Sequence, residues 1–261
     1  VCNLGSGNST AGSEKMAAAG EVAGASSGTR TKRLKIAVIH PDLGIGGAER
    51  LIVDAACQLA AHDHDVHVFT SHHDKKRCFE ETLSGLFPVT VHGDFLPRHV
   101  FYRFHAVCAY LRCIFVALCV LLRWPFFDVI LVDQVSVVIP LLKLMASSKV
   151  SVFVCMKCLL FSNCSSLITI YILYLQIIFY CHFPDLLLAQ HTTMLRRLYR
   201  KPIDMIEEST TGMADLILVN SKFTAATFAR TFSGLHARGI EPGVLYPAVS
   251  VEQFHEPHAY K

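Results

Sequence analysis

The sequence predicts an α/β fold built on an open parallel sheet, and three observations carry that reading. From Lys35 onward, short runs rich in β-branched residues alternate with stretches of helical periodicity, the pattern that β-α-β crossovers impose. The first of these runs, Ile36 to Ile39, is apolar without alternation, as expected of a strand covered on both faces. It breaks after His40 into the glycine loop Gly44-Ile45-Gly46-Gly47, which opens into a helix. With 261 residues, 52% of them hydrophobic, the chain has ample apolar side chains for a core.

Strands are predicted at Lys35–His40, Asp65–Thr70, Val89–His92, Asp128–Val132, Ile178–Cys181, Leu216–Asn220 and Val244–Tyr246. Helices are predicted at Ala48–Ala61, Val100–Arg123, Val137–Met145, Leu186–Arg200, Ile203–Met213 and Lys222–Phe232. Ser221 is placed to cap the helix beginning at Lys222, Pro202 suits a first helical turn, and Pro125 stops the long apolar helix. That helix carries Arg103, Arg112 and Arg123 at intervals. Holding Arg112 at the middle of a bilayer costs on the order of 3 kcal/mol or more, which argues against a spanning segment. Two readings stay open and are compatible: a helix lying on a membrane surface with its arginines reaching headgroups, and a core helix of the sheet.

The chain divides into five stretches. Residues 1–33 are Gly, Ser, Ala and Thr with isolated charges, a tail expected to be disordered, with no cleavable signal peptide. Met16 is a natural start, which makes the first fifteen residues translated leader. Residues 34–149 and 177–250 form two parts of one domain, and 251–261 begin an interdomain linker. Between the parts, 150–176 is an apolar insert with Lys157 its only charge and Ser162-Asn163-Cys164-Ser165-Ser166 splitting it into halves short for a span. Its Phe, Leu, Ile, Val, Ser, Cys and Tyr are what a T-rich stretch encodes. Lys149-Val150-Ser151 matches AAG followed by GTAAGT, and Gln176 can end in CAG. The segment reads as a translated intron whose excision joins Lys149 to Ile177; a genuine membrane segment is the alternative.

Charge and cysteine usage exclude several classes. The net charge is +3, and the basic residues are scattered apart from Arg196-Arg197 and Arg200-Lys201, so no nucleic-acid footprint is formed. Of ten cysteines, Cys57, Cys108, Cys113, Cys119 and Cys181 lie in apolar runs, the placement of small hydrophobes in a reducing compartment. Cys155 and Cys158 make a lone C-x-x-C without a second pair, so no metal site is expected.

Four loops are candidates for a ligand site. Glycines at 44, 46 and 47 are expected to adopt backbone angles that a Cβ forbids and to admit a ligand close to the main chain. The helix behind them offers free N–H groups to an anionic or polyhydroxylated ligand. Neither G-x-G-x-x-G nor a P-loop lysine is present. Cys181-His182-Phe183-Pro184-Asp185, Asn220-Ser221 and Tyr246-Pro247 follow the fifth, sixth and seventh strands, so all four loops should line one crevice at the carboxyl ends. His182 can donate or accept a proton near neutral pH. Asp185 either orients His182 or caps the helix at Leu186, and Glu207-Glu208 reads as a solvated or paired helix face.

Together, His40–Arg50, Phe179–Asp185, Tyr199–Asp215 and Leu218–Phe228 resemble the amino-terminal half of the α-1,3/α-1,6-mannosyltransferases that extend dolichol-linked oligosaccharide, retaining glycosyltransferases of the two-domain GT-B type. The resemblance runs from Leu34 to Phe254 apart from the insert. It implies a Rossmann-like amino-terminal domain and transfer of mannose from GDP-mannose to a dolichol-diphosphate-linked acceptor. His182 is implied as the catalytic group, with Gly44, Ile45, Gly46, Gly47, Glu49, Arg50, Asp185, Asn220, Ser221, Tyr246 and Pro247 around the donor and acceptor cleft. It also implies no cofactor or metal, residence on the cytoplasmic face of the endoplasmic reticulum membrane, and partnership with other early mannosyltransferases. The chain departs from the family in stopping at Lys261, with no Glu-x7-Glu pair beyond Tyr246. It is therefore expected to be incomplete, with weak or no activity alone. The alternative expectation is a non-catalytic, membrane-associated fragment that binds the acceptor or acts as a scaffold.

Overall fold

The computed structural model describes residues 32–100, 104–123, 127–144, 175–189 and 193–247. Seven strands form one sheet: β1 (Lys35–His40), β2 (Asp65–Thr70), β3 (Val89–Val91), β4 (Val129–Asp133), β5 (Gln176–Cys181), β6 (Leu216–Val219) and β7 (Gly243–Val244). Their order across the sheet is β3-β2-β1-β4-β5-β6-β7, and every neighbouring pair is parallel. The expected α/β parallel sheet is therefore observed, with strand ends differing from expectation by a residue or two. The chain runs outward from β1 to β3, returns to place β4 on the other side of β1, and continues that way to β7. Such a reversal leaves a crevice at the carboxyl ends of β1 and β4, since the loops that leave these strands diverge to opposite faces.

Helices cover both faces. They are α1 (Gly47–Ala61), α2 (His105–Arg123), α3 (139–144), α4 (Asp185–Leu188), α5 (Met194–Thr211), α6 (Lys222–Thr231) and α7 (Ser233–Ala237). The period of two along each strand sorts the apolar side chains into two cores. Ile36 and Val38 pack with Ile52, Val53 and Ala56 of α1 and with Val66 and Val68. Ala37, Ile39, Ile130, Val132, Ile177 and Phe179 face α2, α3 and α6 on the other side. Ser221 caps α6 as expected, its hydroxyl accepting the Thr224 N–H at 3.1 Å. Cys113 and Cys181 are free thiols buried in the second core, consistent with their reading as small hydrophobes.

Three local expectations need correction. Residues 186–200 and 203–213 were expected as two helices meeting at Pro202, but α5 runs unbroken through that proline. A mid-helix proline costs about 3 kcal/mol by removing one hydrogen bond and crowding the preceding turn. Contacts on both sides of it hold the axis together: Tyr199 packs edge-on against Phe104, and Thr210 bonds Ser136 at 2.8 Å. Arg112 does not reach outward from α2. It is buried, and its guanidinium donates to the Ser71 carbonyl at 3.0 Å, tying α2 to the end of β2. The turn of 3-10 helix at Glu80–Thr82 and the short α7 were not foreseen. Residues 1–31 of the polar tail, 150–174 of the insert with its Cys155/Cys158 pair, and the linker at 251–261 lie outside the described residues, whereas Gln176, the last residue assigned to the insert, is the first of β5.

Candidate active site

Strand parity brings three polar residues to one rim. His40 continues the face of Ile36 and Val38, and register sets Ile39 beside Val132, so His40 stands next to Asp133. Asp133 in turn pairs with Tyr180, and His182 lies two residues further on the same face. Gln134, directly after Asp133, takes a left-handed conformation with φ 62°. For a residue with a Cβ this costs about 1 kcal/mol, and it turns the chain away from the sheet immediately past the carboxylate.

The three side chains meet at Asp133. Its Oδ2 accepts from His40 Nδ1 at 2.7 Å, with both residues wholly buried. Its Oδ1 lies 2.9 Å from His182 Nε2, an ion-pair distance at an angle too bent for a hydrogen bond. His40 Nε2 faces the Glu49 carboxylate at 3.9 Å, too long for a hydrogen bond and effective through charge. Burial alone would favour neutral His40. The Asp133 hydrogen bond and the charges of Asp133 and Glu49 outweigh it and raise the pKa to about 9. Burial would likewise push the Asp133 carboxyl upward, but His182 and His40 reverse this and hold it below the usual carboxylate range. His40 also holds Glu49 below its ordinary value. The site is thus a buried imidazolium between two carboxylates, with His182 as the half-buried outer member of the chain.

The glycine loop sits over this assembly for a reason other than the expected one. Gly44, Gly46 and Gly47 are not in left-handed conformations; among the described glycines only Gly85, Gly93 and Gly239 are. Gly46 is extended, φ −169°, and what excludes a side chain there is the Glu49 carboxylate folding back into the space a Cβ would fill. Positions 44 and 47 are open. The first intrahelical bond of α1 runs from Arg50 N–H to the Gly46 carbonyl, leaving the amides of the first turn without helical partners. Because Glu49 already places a negative group at this helix terminus, the terminus suits hydroxyl groups better than a bare anion.

The remaining predicted residues are placed as follows. Ile45 is exposed at the loop tip. Arg50 is engaged with Asp54 and with Glu81, the latter at 2.8 Å, and caps the Phe79 ring, so its guanidinium secures α1 and is not gathered with the histidines. Asn220 Nδ2 donates to the His182 carbonyl at 3.1 Å, linking β6 to the histidine loop. Tyr180 donates its hydroxyl to the Leu245 carbonyl at 3.0 Å, which brings the segment before the exposed Tyr246 and Pro247 to the same rim. Asp185 neither orients His182 nor caps α4 with its side chain: its carboxylate pairs with Arg200 at 2.8 Å. The capping carboxylate is Glu207, which accepts the backbone N–H groups of Asp185 and Leu186 at 2.7 and 3.0 Å. It is buried, not a solvated face, and burial raises its pKa to about 7 against the lowering effect of those two donors. Glu208 accepts the Gly234 N–H.

Sequence reasoning missed His40 and Asp133 as site residues. The available signal was two polar side chains ending apolar strands at the same parity, a combination with no packing purpose.

A parallel sheet whose order reverses between β1 and β4, with helices on both faces, makes this a Rossmann-like α/β domain of the kind found in GT-B glycosyltransferases. The solved sucrose-phosphate synthase of Thermosynechococcus elongatus shares this fold, at a TM-score of 0.50 and 16% identity over 86% of this chain and 53% of that one. No protein-family model matches the chain. Among curated proteins it is 44% identical over 229 residues to the alpha-1,3/1,6-mannosyltransferase ALG2 of Rhizomucor pusillus, covering 87% of this chain and 44% of the relative. It is 47% identical over 219 residues to the Homo sapiens protein of the same name, covering 83% and 45%. The chain is a homologue of these mannosyltransferases, and it spans about half their length.

The raised His40 pKa fixes the sign of a stability change. Stabilisation from a cationic His40 is fully present below pH 6.5 and is lost as pH rises through 9. The shift amounts to roughly 3 kcal/mol. Urea unfolding of the wild type should lose that much between these limits, and His40→Gln should lose much less over the same range. Gly46→Ala is expected to keep the fold but displace the Glu49 carboxylate, so that an NMR titration finds the His40 pKa lower than in the wild type.

Proposed function

We propose that this chain supplies the amino-terminal, Rossmann-like domain of an α-1,3/1,6-mannosyltransferase that moves mannose from GDP-mannose to a dolichol-diphosphate-linked oligosaccharide. The observation that carries the reading is the convergence of His182, Asp133, His40 and Glu49 at the sheet's reversal point. Relatives 41–47% identical to the chain, each named an alpha-1,3/1,6-mannosyltransferase, support it. Breaking the bond between mannose and diphosphate separates charge, and groups fixed in advance around that charge lower the barrier without reorganising. His182 stands at the edge of the buried assembly and would hydrogen-bond a reacting sugar hydroxyl. The loop at Gly44–Gly47, with Glu49 beside it, would hold further hydroxyls of donor or acceptor. Asn220 ties the histidine loop to β6, and Ser221 caps α6 beside it.

A second feature bears on location. Phe104, Val107, Leu111, Leu118 and Leu122 are exposed and fall along one stripe on and just before α2, a helix long and apolar enough by composition to cross a membrane. This favours a chain whose α2 packs one face on the sheet and lays the other on a bilayer, as would suit a lipid-linked acceptor on the cytoplasmic face of the endoplasmic reticulum. The same stripe supports the alternative of a membrane-associated fragment that engages the acceptor or an early mannosyltransferase without catalysing transfer.

Grafting this chain onto the remaining portion of a matched relative and supplying labelled GDP-mannose with a phytanyl-diphosphate-linked acceptor tests the transfer. The graft should form product, and His182→Ala should lower the rate by about 10²- to 10⁴-fold. A folded graft that forms no product overturns the assignment. In liposome flotation the chain should rise with vesicles, and the Leu111→Glu, Leu118→Glu double variant should stay with the soluble fraction.

A further inference from the structure

We infer that Asp133 is a positioning residue that fixes the tautomer of His182, keeping the ring proton on Nε2 inside the protein and presenting the Nδ1 lone pair to the cleft. The inference deepens the reading of His182 as the reacting group and rests on it.

The argument begins with access. Asp133 is about 1% exposed, so no sugar or phosphate can touch it, and its influence has to pass through its neighbours. An ionised carboxylate accepts hydrogen bonds and cannot donate them, so each histidine nitrogen turned toward it is favoured in its protonated form. On Oδ2 that nitrogen is His40 Nδ1, at 2.7 Å. On Oδ1 it is His182 Nε2, at 2.9 Å. The second contact is bent, but carboxylate charge at that range still selects which nitrogen carries the proton.

The groups behind Asp133 keep it ionised. His40 has no exposure and lies between Asp133 and Glu49, an environment made for a cation. A cation on one carboxylate oxygen removes any reason for Asp133 to draw the proton off His182. Tyr180, stacked edge-on against the His182 ring at 4.8 Å, and the Asn220 bond to the His182 carbonyl hold the ring and its backbone in place. His182 Nε2 is buried against Asp133 while the side chain as a whole is 21% exposed, so Nδ1 is the ring nitrogen left to meet a ligand. The histidine therefore meets its ligand as a hydrogen-bond acceptor.

Two-bond proton–nitrogen NMR spectra of the wild-type chain at neutral pH read this directly. His182, assigned by loss of its signals in His182→Ala, should show one tautomer with an observable, slowly exchanging Nε2 proton. A ring proton on Nδ1, or averaging between tautomers, overturns the inference. Asp133→Asn should populate the Nδ1–H form and lose the slow exchange. Should that variant not fold, as near-UV circular dichroism would reveal, the wild-type spectrum still decides. In the grafted transferase, Asp133→Asn should cost about 10- to 100-fold in rate, and nothing further when His182→Ala is already present. A wild-type chain with the Nε2 proton in place whose graft transfers no mannose upholds the positioning and overturns only the transferase reading. A graft that transfers mannose while His182 averages between tautomers does the reverse.

Discussion

The rim of this sheet is organised by one buried carboxylate. Asp133 has no contact with solvent, and in isolation its charge would be prohibitively costly at that depth. Two histidines from neighbouring strands offset the cost, His40 on one oxygen and His182 on the other. The arrangement works only if β1, β4 and β5 are in their observed register, because a slip of one residue would turn each side chain to the opposite face. Removing one partner leaves an uncompensated charge, so strand register and site chemistry depend on each other.

The same constraint explains the glycine loop. Glu49 needs room to fold back toward the buried His40 cation, and Gly46 provides it by having no side chain. The loop's composition therefore records a packing requirement within the protein as well as a surface for a ligand. Its negative group also changes what the α1 terminus can bind: an uncovered terminus attracts anions, whereas one shared with a carboxylate is better matched to groups that can donate hydrogen bonds.

Much of the fold was legible because a parallel sheet imposes a repetitive pattern. The strands from β1 through β6 and the helices α1, α2 and α6 were placed within a few residues, and the serine cap of α6 was read correctly. Errors arose where long-range contacts overrode local chemistry. Pro202 marks a helix start by propensity, but packing around Tyr199 and Thr210 carries α5 through it. Asp185 has a capping sequence context, yet Glu207 reaches the same amides from a separate helix. One reading had Arg112 reaching outward to lipid headgroups, while the carbonyl that accepts it is that of Ser71, just past the end of β2. His182 was singled out by its position after a strand, and a catalytic role for it was implied only by the family resemblance. Asp133 was not, since its meaning comes from two histidines that are remote from it in sequence.

That remoteness has a consequence for how the molecule is made. His40 and Asp133 are 93 positions apart along the chain, and β1 cannot acquire its β4 neighbour until β2, β3 and α2 have been synthesised and a long crossover has closed. Closures of this span carry the loop entropy that makes parallel sheets slow to assemble. A nascent β1 thus ends in a histidine that has Glu49 of α1 within reach but lacks its hydrogen-bonded partner Asp133, and the larger part of its raised basicity arrives only when the fourth strand docks. The charge state of a single imidazole consequently records whether the middle of the sheet has assembled.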